Sequence, residues 1–123
     1  MSEQTQELDK HELRVFFDEL SKEAGAYDVT IEIVSPELGD QLEAEKLPLA
    51  YVAYDDKDDV VIVAVDGKDS PDPVLRHMVE HPVRVVADTI SEDTPWAIDV
   101  TASDDTQTIV TLHRRPALPP PTE

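Results

Sequence analysis

The sequence predicts an α+β domain: an about six-stranded, largely antiparallel sheet, built as two three-stranded units, with two helices. Three observations predict it. The run Val60-Val61-Ile62-Val63-Ala64-Val65 is β-branched at a density that fits a buried, pleated strand better than a helix. Tyr27, Val29, Ile31 and Ile33 alternate with Asp28, Thr30 and Glu32, the period of a strand with one wet face. Leu13, Phe16, Phe17, Leu20 and Ala24 recur at helical spacing, with Asp18, Glu19 and Lys22 on the opposite side.

Residues 1–7 are polar and are expected to fray. Asp9 then reads as a helix N-cap, with Glu12 three residues on closing a capping box and Leu8 stapling onto Leu13; Gly25 suits the C-cap. Pro36 ends the strand that follows the helix. The connection from Ser35 to Lys46 is long for a hairpin loop, and Leu38 and Leu42, four apart, suggest a short helical turn covering a sheet end. Leu49–Tyr54 and the Val60 run form the central hairpin, with Asp55-Asp56-Lys57-Asp58-Asp59 as a turn too charged to bury. Asp69-Ser70-Pro71-Asp72-Pro73 is turn chemistry, Pro73 suits the first turn of a second helix over Val74–Glu80, and Pro82 stops it. Strands are expected over 83–90, 96–102 and 106–113, the middle one with Trp96, Ile98, Val100 and Ala102 on one face.

Read this way, residues 1–115 are a single domain and residues 116–123 a proline-rich, disordered tail. Helix plus three strands occurs twice. The hairpin from Pro48 aligns without a gap on the one from Pro95, matching Pro48 with Pro95, Ala50 with Ala97, Asp58 with Asp105, Ile62 with Ile109 and Val63 with Val110. That raises an internal duplication, against the simpler reading that two hairpins share strand chemistry.

A chain of 123 residues is long enough to bury a core without staples, and the absence of cysteine excludes disulfides and thiolate chemistry. No apolar signal core and no membrane-length apolar run is present, so a cytoplasmic protein is expected. The net charge of −18, from 28 acidic against 10 basic residues, repels phosphate backbones and anionic lipid, and neither nucleic acid nor membrane is expected as a partner.

Leu38-Gly39-Asp40-Gln41-Leu42-Glu43-Ala44-Glu45, Leu47-Pro48-Leu49, Tyr54-Asp55 and His81-Pro82 resemble an uncharacterised bacterial family, domain of unknown function 5335. The similarity runs from the paired Phe16-Phe17 to the last strand. It implies a small soluble α+β domain and transfers no activity.

Two clusters carry candidate chemistry. His77-Met78-Val79-Glu80-His81 has the H-x-x-E-H spacing that on a helix places two histidines one turn apart for zinc, with Glu80 activating water. Pro82 directly after His81 and a short helix argue instead for a capping and surface role, which a helix C-terminus favours for histidine. Asp55, Asp56, Asp58 and Asp59 could offer hard oxygen ligands to calcium, although the glycine and distal glutamate of an EF-hand loop are missing, and a solvated acidic turn is the plainer reading. No glycine-rich phosphate loop or nucleophile elbow occurs, so no catalytic residue and no cofactor is assigned. The reading favoured by these residues is a non-enzymatic interaction domain for an unidentified, basic protein partner, with homo-oligomers left open. The alternatives are a metal-binding protein or hydrolase using His77, Glu80 and His81, and acid as an adaptation to salt-rich surroundings.

Overall fold

The computed structural model describes residues 4–66, 73–91 and 94–115. Its architecture is a single eight-stranded antiparallel sheet with one α-helix. In chain order the elements are β1 (Gln4–Leu8), α1 (Lys10–Lys22), a short 3-10 turn at Ala24–Ala26, β2 (Tyr27–Ser35), β3 (Gly39–Asp55), β4 (Val60–Asp66), β5 (Pro73–Glu80), β6 (Pro82–Thr89), β7 (Trp96–Ala102) and β8 (Gln107–Arg114). The strand order is β1-β6-β7-β8-β2-β3-β4-β5.

Several expectations are thereby corrected. Among the described residues the sheet has eight strands rather than six, and there is a single α-helix rather than two. Val74–Glu80 lies in β5, because Leu75, His77 and Val79 turn inward while Arg76, Met78 and Glu80 face solvent, an alternation that pairing with β4 rewards. Gln4–Leu8 is not frayed but pairs with β6, from Gln4 opposite Thr89 to Leu8 opposite Val85. Gly39 onward holds no helical turn: it is the first half of β3, laid along β2 from Ser35 opposite Gly39 to Asp28 opposite Pro48. With the second helix gone, the helix-plus-three-strand duplication fails, and what the two aligned hairpins share is strand and turn chemistry. The turn expected at 69–73 lies mainly outside the described residues, and the proline-rich tail wholly so.

β3 decides the shape. Its first half pairs with β2 and its second half, from Leu49 opposite Val65 to Asp55 opposite Val60, pairs with β4. Register shifts near Ile31 and after Leu49, and left-handed backbone at Lys46 (φ 48), bend the strand between the two halves. The sheet therefore curls. β3–β5 come to lie over the inner faces of β7 and β8, where the His77 ring meets the Thr108 hydroxyl at 3.2 Å. Val29, Ile31, Val61, Val63, Val65, Val85, Ile98, Val100, Val110 and Leu112 fill the space between.

The bend leaves one side of β3 without a neighbouring strand beyond Leu49, and α1 covers it. The Ser21 hydroxyl donates to Val52 O at 2.7 Å and accepts from Val52 N–H at 2.9 Å, pairing both backbone groups of Val52 on the bare edge. Leu13, Phe17 and Leu20 are buried beneath the helix, and Phe16 meets Trp96 of β7 edge-on at 5.1 Å. The helix starts where the capping box places it, with Glu12 Oε1 accepting the Asp9 N–H at 3.0 Å. Among the described residues no helix is long and apolar enough to cross a membrane.

Candidate functional site

The strand-to-strand corner at His81 organises one end of the molecule. β5 ends at Glu80 and β6 begins at Pro82, so a single residue in left-handed backbone (φ 51) carries the chain from one half of the curled sheet to the other. The His81 N–H donates to Asp59 O at 2.8 Å, and His81 O accepts from the Ser103 N–H at 3.1 Å. Asp59 belongs to the β3–β4 turn and Ser103 to the β7–β8 turn. The corner thus pins two acidic turns side by side: Asp55, Asp56, Asp58 and Asp59 in one, Asp104 and Asp105 in the other.

Asp59 is the hub of this end. Its Oδ1 accepts from the Tyr54 hydroxyl at 2.6 Å and lies 2.9 Å from Lys10 Nζ, while Oδ2 is 3.5 Å from His81 Nδ1. The Tyr54 hydrogen bond, then Lys10, hold its carboxyl below the ordinary range. Donating to that carboxylate, with burial second, pushes the Tyr54 phenol up to about 12. The other turn carboxylates also have local duties. Asp55 Oδ1 accepts from the Lys57 and Asp58 N–H groups at 3.0 and 3.3 Å, and Asp104 Oδ1 from the Thr106 N–H at 3.0 Å. Backbone hydrogen bonding from Thr106 depresses Asp104.

Beside the corner, a groove of about 340 Å³ runs between β5 and the β7–β8 hairpin, with His77, Met78 and Glu80 on one wall and Asp104, Thr106 and Thr108 on the other. Sequence spacing placed His77 and His81 one helical turn apart; on a strand, four residues separate them by roughly 13 Å. Both border the groove, yet His77 bonds Thr108 and His81 turns toward Asp59. Glu80 points to the opposite face of β5 from His77 and is exposed. Among the described residues no group of three or more His, Asp or Glu could hold a metal ion; Asp55 is engaged by its own turn, and Asp59 by Tyr54, Lys10 and His81. Sequence reasoning missed Tyr54, Lys10 and Thr108 as parts of this end, since only the curled sheet brings them to the acidic turns and the histidine.

Burial lowers the His77 pKa from 6.5, an effect that Glu43 partly offsets. The folded state therefore prefers the neutral ring, and between 6.5 and the depressed value the unfolded chain binds more protons than the folded one. The contribution of His77 to stability is fully present above 6.5 and is lost as pH falls from there through the folded pKa. Thermal melts between about pH 7.5 and pH 5.5 should show this fall, and His77→Gln should flatten it. An unchanged slope in the variant would place the effect elsewhere.

Away from this end, burial also raises the Asp99 carboxyl on β7, whose Oδ1 is buried without a hydrogen-bond partner while Oδ2 accepts from Gln107 Nε2 at 3.4 Å.

The model of a family described as "Family of unknown function (DUF5335)" matches residues 4–121. An "Uncharacterized protein" of Aquifex aeolicus (strain VF5) is 32% identical over 117 residues, covering 95% of this chain and 97% of that protein. No solved structure matches.

Proposed function

Since the chain belongs to DUF5335, a family of unknown function, membership brings no activity with it, and we propose from the geometry that the protein is a non-enzymatic binding domain for a basic partner. One observation supports this above the others: the His81 corner sets two acidic turns next to each other at one end of the sheet. Asp56, Asp58 and Asp105 are exposed there, and Asp59 alone of the six turn aspartates takes part in an ion pair between described residues. Like charges held together by backbone hydrogen bonds gain from a cationic surface that arrives from outside.

A lysine-rich peptide of about ten residues serves as the probe, with affinity measured by calorimetry at low and at ~0.15 M salt. Wild type should bind, and more weakly as salt rises. The variant D56N/D58N/D104N/D105N keeps the acceptor oxygens and tolerates the left-handed backbone at Asp105, and should lose roughly tenfold in affinity. Removing four charges remote from the two turns, in D18N/E23Q/D66N/D88N, should cost less than about twofold. Equal losses in both variants would reduce the effect to diffuse charge and sink the site. No binding by wild type, together with a melting temperature that climbs steeply with NaCl, would assign the acid to salt-rich surroundings instead.

A further inference from the structure

Among the described residues β5 ends the sheet, so one of its sides carries no partner strand there. Two hydrogen bonds fix which residues face that side. His81 N–H bonds Asp59 O, so Val61 with Val79 and Val63 with His77 are the pairs that exchange bonds across β4 and β5. Ser21 gives the same phase independently: it occupies both backbone groups of Val52, so Val63, opposite Val52, turns its own groups toward His77. Arg76, Met78 and Glu80 therefore present their N–H and C=O to the open side. Their side chains are exposed as well, with Met78 at 53%.

The order Arg76, Met78, Glu80 is self-complementary. A two-fold axis through Met78 places Arg76 opposite the partner's Glu80, Glu80 opposite the partner's Arg76, and the two methionines against each other. The same axis sets backbone donors opposite acceptors along the strand. This stretch is also charge-balanced on a chain whose net charge is −18, so two copies can approach here with less repulsion than elsewhere. The groove between β5 and the β7–β8 hairpin keeps the approach along the edge open.

We propose that β5 is a self-association edge, on which a second copy of this chain adds its own β5 antiparallel about a two-fold axis at Met78. The interface goes beyond the acidic-end reading and does not depend on it. One strand from each copy buries less than the roughly 1,600 Å² of a standard interface, which places the association in the micromolar range or weaker.

Sedimentation equilibrium to about 0.5 mM protein in ~0.5 M NaCl, where repulsion between copies is screened, tests it. Wild type should be a dimer at the upper concentrations. R76E and E80R, each folded by circular dichroism, should each self-associate at least about tenfold more weakly, because each puts like charges opposite one another twice. Mixing R76E with E80R in equal amounts should restore the dimer, and so should the double variant R76E/E80R, since both bring opposite charges back into register. A wild type that stays monomeric overturns the proposal. So does a dimer that ignores the single reversals, or one that they weaken and the mixture fails to restore.

Discussion

Phe17→Ala is expected to cost about 3–5 kcal/mol of stability, measured by urea unfolding. Phe17 is 0% exposed, and it sits where α1 closes over the bare side of β3, so its removal leaves a cavity that neither the helix nor the bent strand can fill without moving. Domains of this size hold only about 5–15 kcal/mol in all, so the variant should be near the edge of unfolding at body temperature. Phe16 is the internal control. Half-buried and packed edge-on against Trp96, it should cost about 1–2 kcal/mol when truncated. Equal effects at the two positions would mean that α1 does not lie as described.

Ser21→Ala is expected to cost about 2–3 kcal/mol, a large value for deleting one oxygen atom. The hydroxyl is both donor and acceptor for Val52, whose residue is 2% exposed, so its loss strands an N–H and a C=O at once. Ser21→Thr, which keeps the hydroxyl, should recover most of the loss. A cost below about 0.5 kcal/mol in the alanine variant would show that water reaches this edge.

The parts of the fold that were legible in the sequence are those where local pattern and tertiary need agree. The capping box at Asp9 and Glu12, the alternation in β2 and the β-branched run of β4 each specify their element without help from distant residues. β5 is disguised in the sequence because Val74, Leu75, Met78 and Val79 fit a helical stripe and Pro73 suits a helix start. The competing alternation of Leu75, His77 and Val79 contains a histidine in place of an apolar residue, which hides the period of two. β1 and the first half of β3 carry too few apolar residues to announce strands. Gln4–Leu8 is held by β6, and Leu42-Glu43-Ala44-Glu45, good helix formers all, are overruled by pairing with β2. The acidic turn is legible from its residues, but its nearness to Asp104, Lys10 and His81 is not. That nearness depends on a corner of one residue between two strands, for which the sequence offers only His81 before Pro82.

The placement of β8 between β7 and β2 bears on how the chain comes to be folded. β2 to β5 and β6 to β8 are each a run of neighbours along the chain, but the two runs join only when β8 slots in beside β2, and β1 waits for β6. Contacts so distant in sequence make folding slow, on the scale of milliseconds to seconds. During synthesis at roughly 5–20 residues per second, Tyr27–Ser35 would stand with one side unpaired on the order of ten seconds before its partner is made. That side carries the hydrogen-bonding groups between Val29 and Val34, a template for any other extended chain nearby. The alternate Asp28, Thr30 and Glu32 then have a use before the native state exists: they break the strand's apolar character while it is uncovered and hold stray strands away until Gln107–Arg114 arrives.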